Sequence, residues 1–176
     1  MRKIFLLAIL IFSITIVIAQ TYTTRNGFIG FYSKTDLEDI KAEHKQVYCV
    51  IDATAKKLAF TLLVKGFTFR KQLMQEHFNE NYMESDKFPK ASFSGSYAGD
   101  VAPGINKVQV KGVLTLHGIS KEIEVPATLE LINNKLVGKS SFKINPADYN
   151  IKIPSLVRDK IARLIDVTIL IDANAK

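Results

Sequence analysis

Over its second half the chain alternates apolar and polar residues with a period of two. In Lys107–Leu116, Val108, Val110, Leu114 and Leu116 fall on one parity, and Lys107, Gln109 and Lys111 on the other. A strand turns successive side chains to opposite faces, so this pattern predicts a sheet wet on one side and buried on the other. Glu122–Leu131 repeats it, with Ile123, Val125, Ala127, Leu129 and Leu131 against Glu122, Glu124, Thr128 and Glu130. His117–Lys121 lies between the two strands, a length suited to a hairpin loop. After the hairpin signal Asn133-Asn134, Leu136–Ile144 sets Leu136, Phe142 and Ile144 against Lys139 and Lys143. Leu164–Asp172 ends the series, with Ile165, Val167, Ile169 and Ile171 inward.

Thr21–Tyr32, Gln46–Asp52, Leu58–Lys65 and Ala91–Tyr97 read as earlier strands. The total is about eight, the number at which a small antiparallel barrel closes and still has room for one ligand. Closure also removes exposed strand edges. A β-sandwich shares this alternation, so closure is an inference. One segment departs from period two: Arg70–Ser85 reads as a helix with Leu73, Met74, Phe78 and Tyr82 on its apolar side. His77 and Asn81 fall within that arc. Two placements stay open, one covering a barrel end and the other packing on the outside. A second short helical turn is expected over Leu156–Ala162, capped by Ser155.

The N-terminus carries a different signal. Arg2 and Lys3 precede an apolar run through Ala19, the three-part pattern of a secretory leader, with cleavage expected before Gln20. The alternative is a membrane anchor, since the run approaches the ~20 residues of a spanning helix. Residues 20–176 then form one exported domain, periplasmic or secreted. The net charge of +7 comes from lysines scattered along the chain. That scatter speaks against a nucleic-acid interface and leaves peripheral contact with an anionic membrane open. Cys49, the single cysteine, shares the parity of Val47 and Ile51 and is expected to be a buried, inert thiol.

No catalytic constellation emerges. His44, His77 and His117 are far apart and lack metal-ligand spacing, and no nucleophile elbow or phosphate loop is present. No catalytic residue, metal or cofactor is therefore expected. The inward set is Phe60, Leu62, Val64, Phe93, Tyr97, Val110, Leu114, Leu116, Leu129, Phe142 and Ile169. These residues either fill the interior or line a tunnel. Gly95, Gly112, Gly138 and Ser140 share their parity, and small residues there leave volume. Each buried CH₂ contributes roughly 0.8 kcal/mol, so a long chain binds such a tunnel without polar recognition.

Three stretches carry a resemblance: V-L-T-L-H-G-I-S-K-E-I at Val113–Ile123, L-M-Q-E-H-F-N-E-N-Y-M-E-S-D-K-F-P-K-A-S-F at Leu73–Phe93, and S-F-K-I-N-P-A-D-Y-N-I at Ser141–Ile151. Together they resemble the YceI-like family, lipocalin-like proteins that include polyisoprenoid binders. The resemblance implies an eight-stranded antiparallel barrel with a helix, an elongated cavity and an isoprenoid or quinone-tail ligand, without a shared enzymatic activity. The late motif commonly carries an arginine and a glycine where this chain has Pro146 and Asn150. His117 is expected to make a structural hydrogen bond near its turn. His77 and Asn81, beside Phe78, are expected to meet a ligand head group at the cavity mouth. The leading reading is a carrier of a long apolar molecule. Its rivals are a solid barrel serving as an interaction module and, more remotely, a lipid hydrolase or isomerase.

Overall fold

A computed structural model of the chain describes residues 20–176, so the expected leader over residues 1–19 lies outside it. Nine strands run β1 (Thr21–Lys34), β2 (Asp39–Asp52), β3 (Lys57–Leu63), β4 (Thr68–Phe69), β5 (Lys90–Ala98), β6 (Gly104–Leu116), β7 (Ile119–Ile132), β8 (Lys135–Ile144) and β9 (Ile165–Ala175). Their pairings are antiparallel, and β1 bonds to both β2 and β9, which closes the sheet. Eight strands make the barrel. The two-residue β4 follows β3 along the same neighbour: after the tight turn Val64–Gly66, Thr68 and Phe69 pair with Glu43 and Ala42 of β2.

The hairpins explain the register. Leu116 pairs with Ile119, so the turn consists of His117 and Gly118 alone, both at positive φ. Five residues were expected in this loop; a two-residue turn matches strand twist better and needs two left-handed positions. Gly118 fills one without strain. His117 fills the other, and its ring is fixed from outside the hairpin. Asn133 and Asn134 form the second tight turn, with Ile132 paired to Lys135. β2 starts at Asp39, well ahead of the expected Gln46. The alternation does continue there, through Ile40, Ala42 and His44, but a buried histidine interrupts its apolar signature. His44 is fully satisfied: the Gln46 N–H donates to Nδ1 (3.1 Å) and Nε2–H donates to the Leu63 carbonyl (3.0 Å).

Strand direction sorts the connections. The turns after β2, β5 and β7 share one end of the barrel with both chain ends of the domain. The β1–β2 loop, the His117 turn and the two long connections, residues 64–89 and 145–164, share the other. The first long connection holds helix α1 (Gln72–His77), which widens into a π-turn over Phe78–Tyr82. This is shorter than the expected Arg70–Ser85, because Lys71 is still extended. In the second, Ser155–Lys160 is a 3₁₀ turn preceded by Pro154, and the expected Ser155 cap is absent.

Candidate functional site

The two halves of the barrel are packed differently. Toward the end holding the domain's termini, Tyr22, Cys49, Tyr97, Val108, Leu136 and Ala173 are buried in contact and form a solid plug. Burial pushes the Cys49 thiol up to about 12, which leaves it protonated and inert. Burial, and then the Asp52 carboxylate, also raises the Tyr97 phenol. Above the plug the side chains stop short of one another and leave a cavity of about 570 Å³. That lies within the ~300–1,000 Å³ range of small-molecule sites.

Ile51, Leu58, Val110, Val125, Leu129 and Ile171 form its floor, shared with the plug below. Phe60, Leu62, Phe93, Leu114, Phe142 and Ile169 make up the wall, and Val64 and Leu116 stand nearer the open end. Among the residues singled out from sequence, His77 and Phe78 also line the cavity. Tyr97 and Asn81 do not. Tyr97 is too close to the closed end and belongs to the plug. Asn81 lies in the π-turn on the exposed side. The Met83 N–H donates to the Phe78 carbonyl five residues back (2.8 Å), so Met83 is buried although the helical wheel left it out.

Small inward residues act in two ways. Gly95 and Gly112 face each other across β5 and β6, and a Cβ on either would lie within 3 Å of the Phe93 ring tip, at 2.9 and 2.7 Å. The ring occupies the volume they vacate and packs on bare backbone, so this pair adds little to the cavity. Gly138 differs. A Cβ there would meet only Leu129 and Ile171, at ordinary contact distances of 3.5 and 3.6 Å. Its missing side chain is lumen.

An aromatic collar surrounds the upper cavity. Phe78 packs on Phe31 (5.5 Å between centroids), Phe67 (5.6 Å) and Phe69 (5.0 Å), and all four line the space. The sequence reading named Phe78 alone. Phe31 shares its parity with Ile29 and Ser33, and Phe67 with Phe69, so the signal was present as period two within short segments. Charged side chains gather at the rim, whereas Ser140 in the wall turns its hydroxyl to the Pro126 carbonyl (2.7 Å). Lys71 on the helix side bonds Glu38 of the β1–β2 loop (2.9 Å). The Ala162 N–H donates to the buried Ser33 hydroxyl (2.8 Å) and ties the second long connection to β1. Burial raises the Tyr82 phenol, which keeps that lining group neutral.

His117 joins three segments just outside the cavity. Nδ1–H donates to the Tyr149 carbonyl (3.0 Å), Nε2 meets a Glu84 carboxylate oxygen (2.9 Å), and the ring sits edge-on to Phe88. This is the structural bond expected of it. Among the described residues, no group of three or more His, Cys, Asp or Glu could hold a metal ion.

A closed antiparallel barrel, plugged at one end and hollow at the other with mainly apolar walls, has the architecture of a binding protein. The chain belongs to the YceI-like family, whose domain matches residues 17–173. Solved structures agree on the fold. A polyisoprenoid-binding domain from Saccharophagus degradans, implicated in plant cell wall breakdown, has a TM-score of 0.78 at 16% identity, covering 90% of this chain and 99% of that one. BcnA of Burkholderia cenocepacia has a TM-score of 0.73 at 16% identity, covering 82% and 94%. The Campylobacter jejuni YceI protein has a TM-score of 0.60 at 20% identity, covering 77% and 84%. No curated protein matches the chain.

Proposed function

We propose that this protein is an exported, non-catalytic carrier that holds an isoprenoid chain, a quinone tail or a similarly long apolar molecule inside its barrel. The observation that carries this reading is the cavity, mainly apolar from floor to collar and open at one end. Ten buried methylenes contribute roughly 8 kcal/mol before association costs, enough for useful affinity without a specific polar contact. The polyisoprenoid-binding domain with the same fold supports the ligand class. Export is supported by the basic-then-apolar pattern of residues 1–19, and a mature protein recovered with Gln20 as its first residue is the expected outcome. His77, exposed at the rim yet lining the cavity, is the residue we assign to a ligand head group.

Titration with a fluorescent polyene fatty acid tests the reading against a variant that fills the lumen. Gly138→Leu places its first carbon in ordinary contact and the rest of its side chain in the cavity. Affinity is expected to fall by about tenfold or more, since excluding even two methylenes costs roughly 1.6 kcal/mol. Equal affinity of the variant and the natural protein would place the probe outside the barrel and end the proposal.

A further inference from the structure

The rim of the cavity carries a second pattern that holding a ligand does not require. Three of its segments each present a leucine to solvent: Leu37 in the β1–β2 loop (67% exposed), Leu73 on α1 (61%) and Leu156 in the turn after Pro154 (93%). Glu38, Leu73 and Val157 line the cavity, so these leucines stand around its opening. Exposed leucines spaced around a hole do not form the continuous groove that a partner helix or strand would need.

Charge on the third segment selects the occupant. Lys152, Arg158, Lys160 and Arg163 are exposed, with Asp159 as the sole acidic residue among them. About half of the lysines elsewhere on the barrel are paired, as in Lys56–Asp100, Lys65–Asp86, Lys111–Glu122 and Lys135–Asp172, while Lys34, Lys41, Lys57, Lys90, Lys107 and Lys139 stand singly along the strands. None of the four basic residues beside Leu156 has a carboxylate within ion-pair distance among the described residues. Asp36, Glu38 and Asp39 surround Leu37, with only Glu38 paired, to Lys71, so the acidic loop is the weaker side of the contact. Apolar side chains that reach outward beside unpaired cations are the chemistry of attachment to an anionic bilayer.

We infer that the open end of the barrel docks on anionic phospholipid, led by Leu156 with Arg158, Lys160 and Arg163, so that the cavity faces the bilayer. Leu73 and Leu37 complete the contact as the mouth settles on the surface. That docking serves to load and unload the ligand rests on the carrier reading; the docking itself does not.

Flotation with phosphatidylcholine vesicles, with and without phosphatidylglycerol, tests the inference. The protein is expected to float with the anionic vesicles and to release as salt is raised. Leu156→Asp should weaken that binding by about tenfold or more, the scale of one leucine leaving an apolar phase. Arg158→Glu with Lys160→Glu should abolish the preference for phosphatidylglycerol. Ile105→Ser removes another exposed apolar residue (70%) from the opposite end and should change nothing. Equal flotation with both vesicle types, or equal effects of Leu156→Asp and Ile105→Ser, would overturn the proposal. Polyene titration of Leu156→Asp in solution separates the two readings. Retained ligand binding with lost flotation supports docking, whereas flotation without any ligand binding would refute the carrier and leave docking standing.

Discussion

Asn150 adopts a left-handed backbone at φ 56°, closing the short turn Pro146–Tyr149. A glycine is common there in the resembling motif, and asparagine is the other residue that visits this region routinely. Pro146 fits as well, since it opens the turn behind Asn145, whose side chain accepts from the Ala147 N–H (3.2 Å). Asn150→Gly is therefore expected to leave urea-unfolding stability nearly unchanged, and Asn150→Val to cost about 1–2 kcal/mol. His117 contributes more, because it bonds both Tyr149 and Glu84 from a buried site; His117→Ala should cost about 2–3 kcal/mol in the same assay. Cys49 gives a pH signature. Its folded pKa is raised from 9.0 to about 12, so the unfolded thiol ionises first as pH rises. Its contribution is complete below pH 9.0 and is lost toward about 12, so the stability gap between the natural protein and Cys49→Ala should narrow over that range. Loss of Cys49 to the core was legible from parity alone. The two bonds of His117 were not, since Glu84 and Tyr149 reach it only through the fold.

At the scale of elements, period two located the later strands because each has one wet face and one buried face. It failed where a buried position is polar, as at His44 in β2, or where a strand is broken, as between β3 and β4. The helix was legible in kind but not in extent: no residue of the sequence announces the π-turn that aims Phe78, Tyr82 and Met83 inward together. Phe78 is the hinge of that arrangement, gripping Phe31, Phe67 and Phe69. Phe78→Ala should cost about 3 kcal/mol, near the lower end for a truncated core phenylalanine, and speed ligand release in stopped-flow displacement. Unchanged release would show that the collar packs the rim without retaining the ligand.

The whole barrel is neither solid nor hollow. One half is packed as a core and stabilises the closed sheet, which frees the other half from filling its own volume. Inward parity could not separate these halves, because Tyr97 and Phe93 share one parity on the same strand yet belong to the plug and the wall respectively. Nor could it tell that Gly95 and Gly112 are covered by a ring while Gly138 opens the lumen. Depth along the barrel is a property of closure and register, and only the assembled sheet supplies it. The proposed cargo of the hollow half is a long apolar chain. Native mass spectrometry of the mature protein recovered from its own compartment, followed by organic extraction, tests this most directly. A one-to-one apolar adduct that dissociates as an isoprenoid or quinone is expected, as is its loss from Gly138→Leu. A clean apo mass that persists after incubation with long-chain isoprenoids would contradict it.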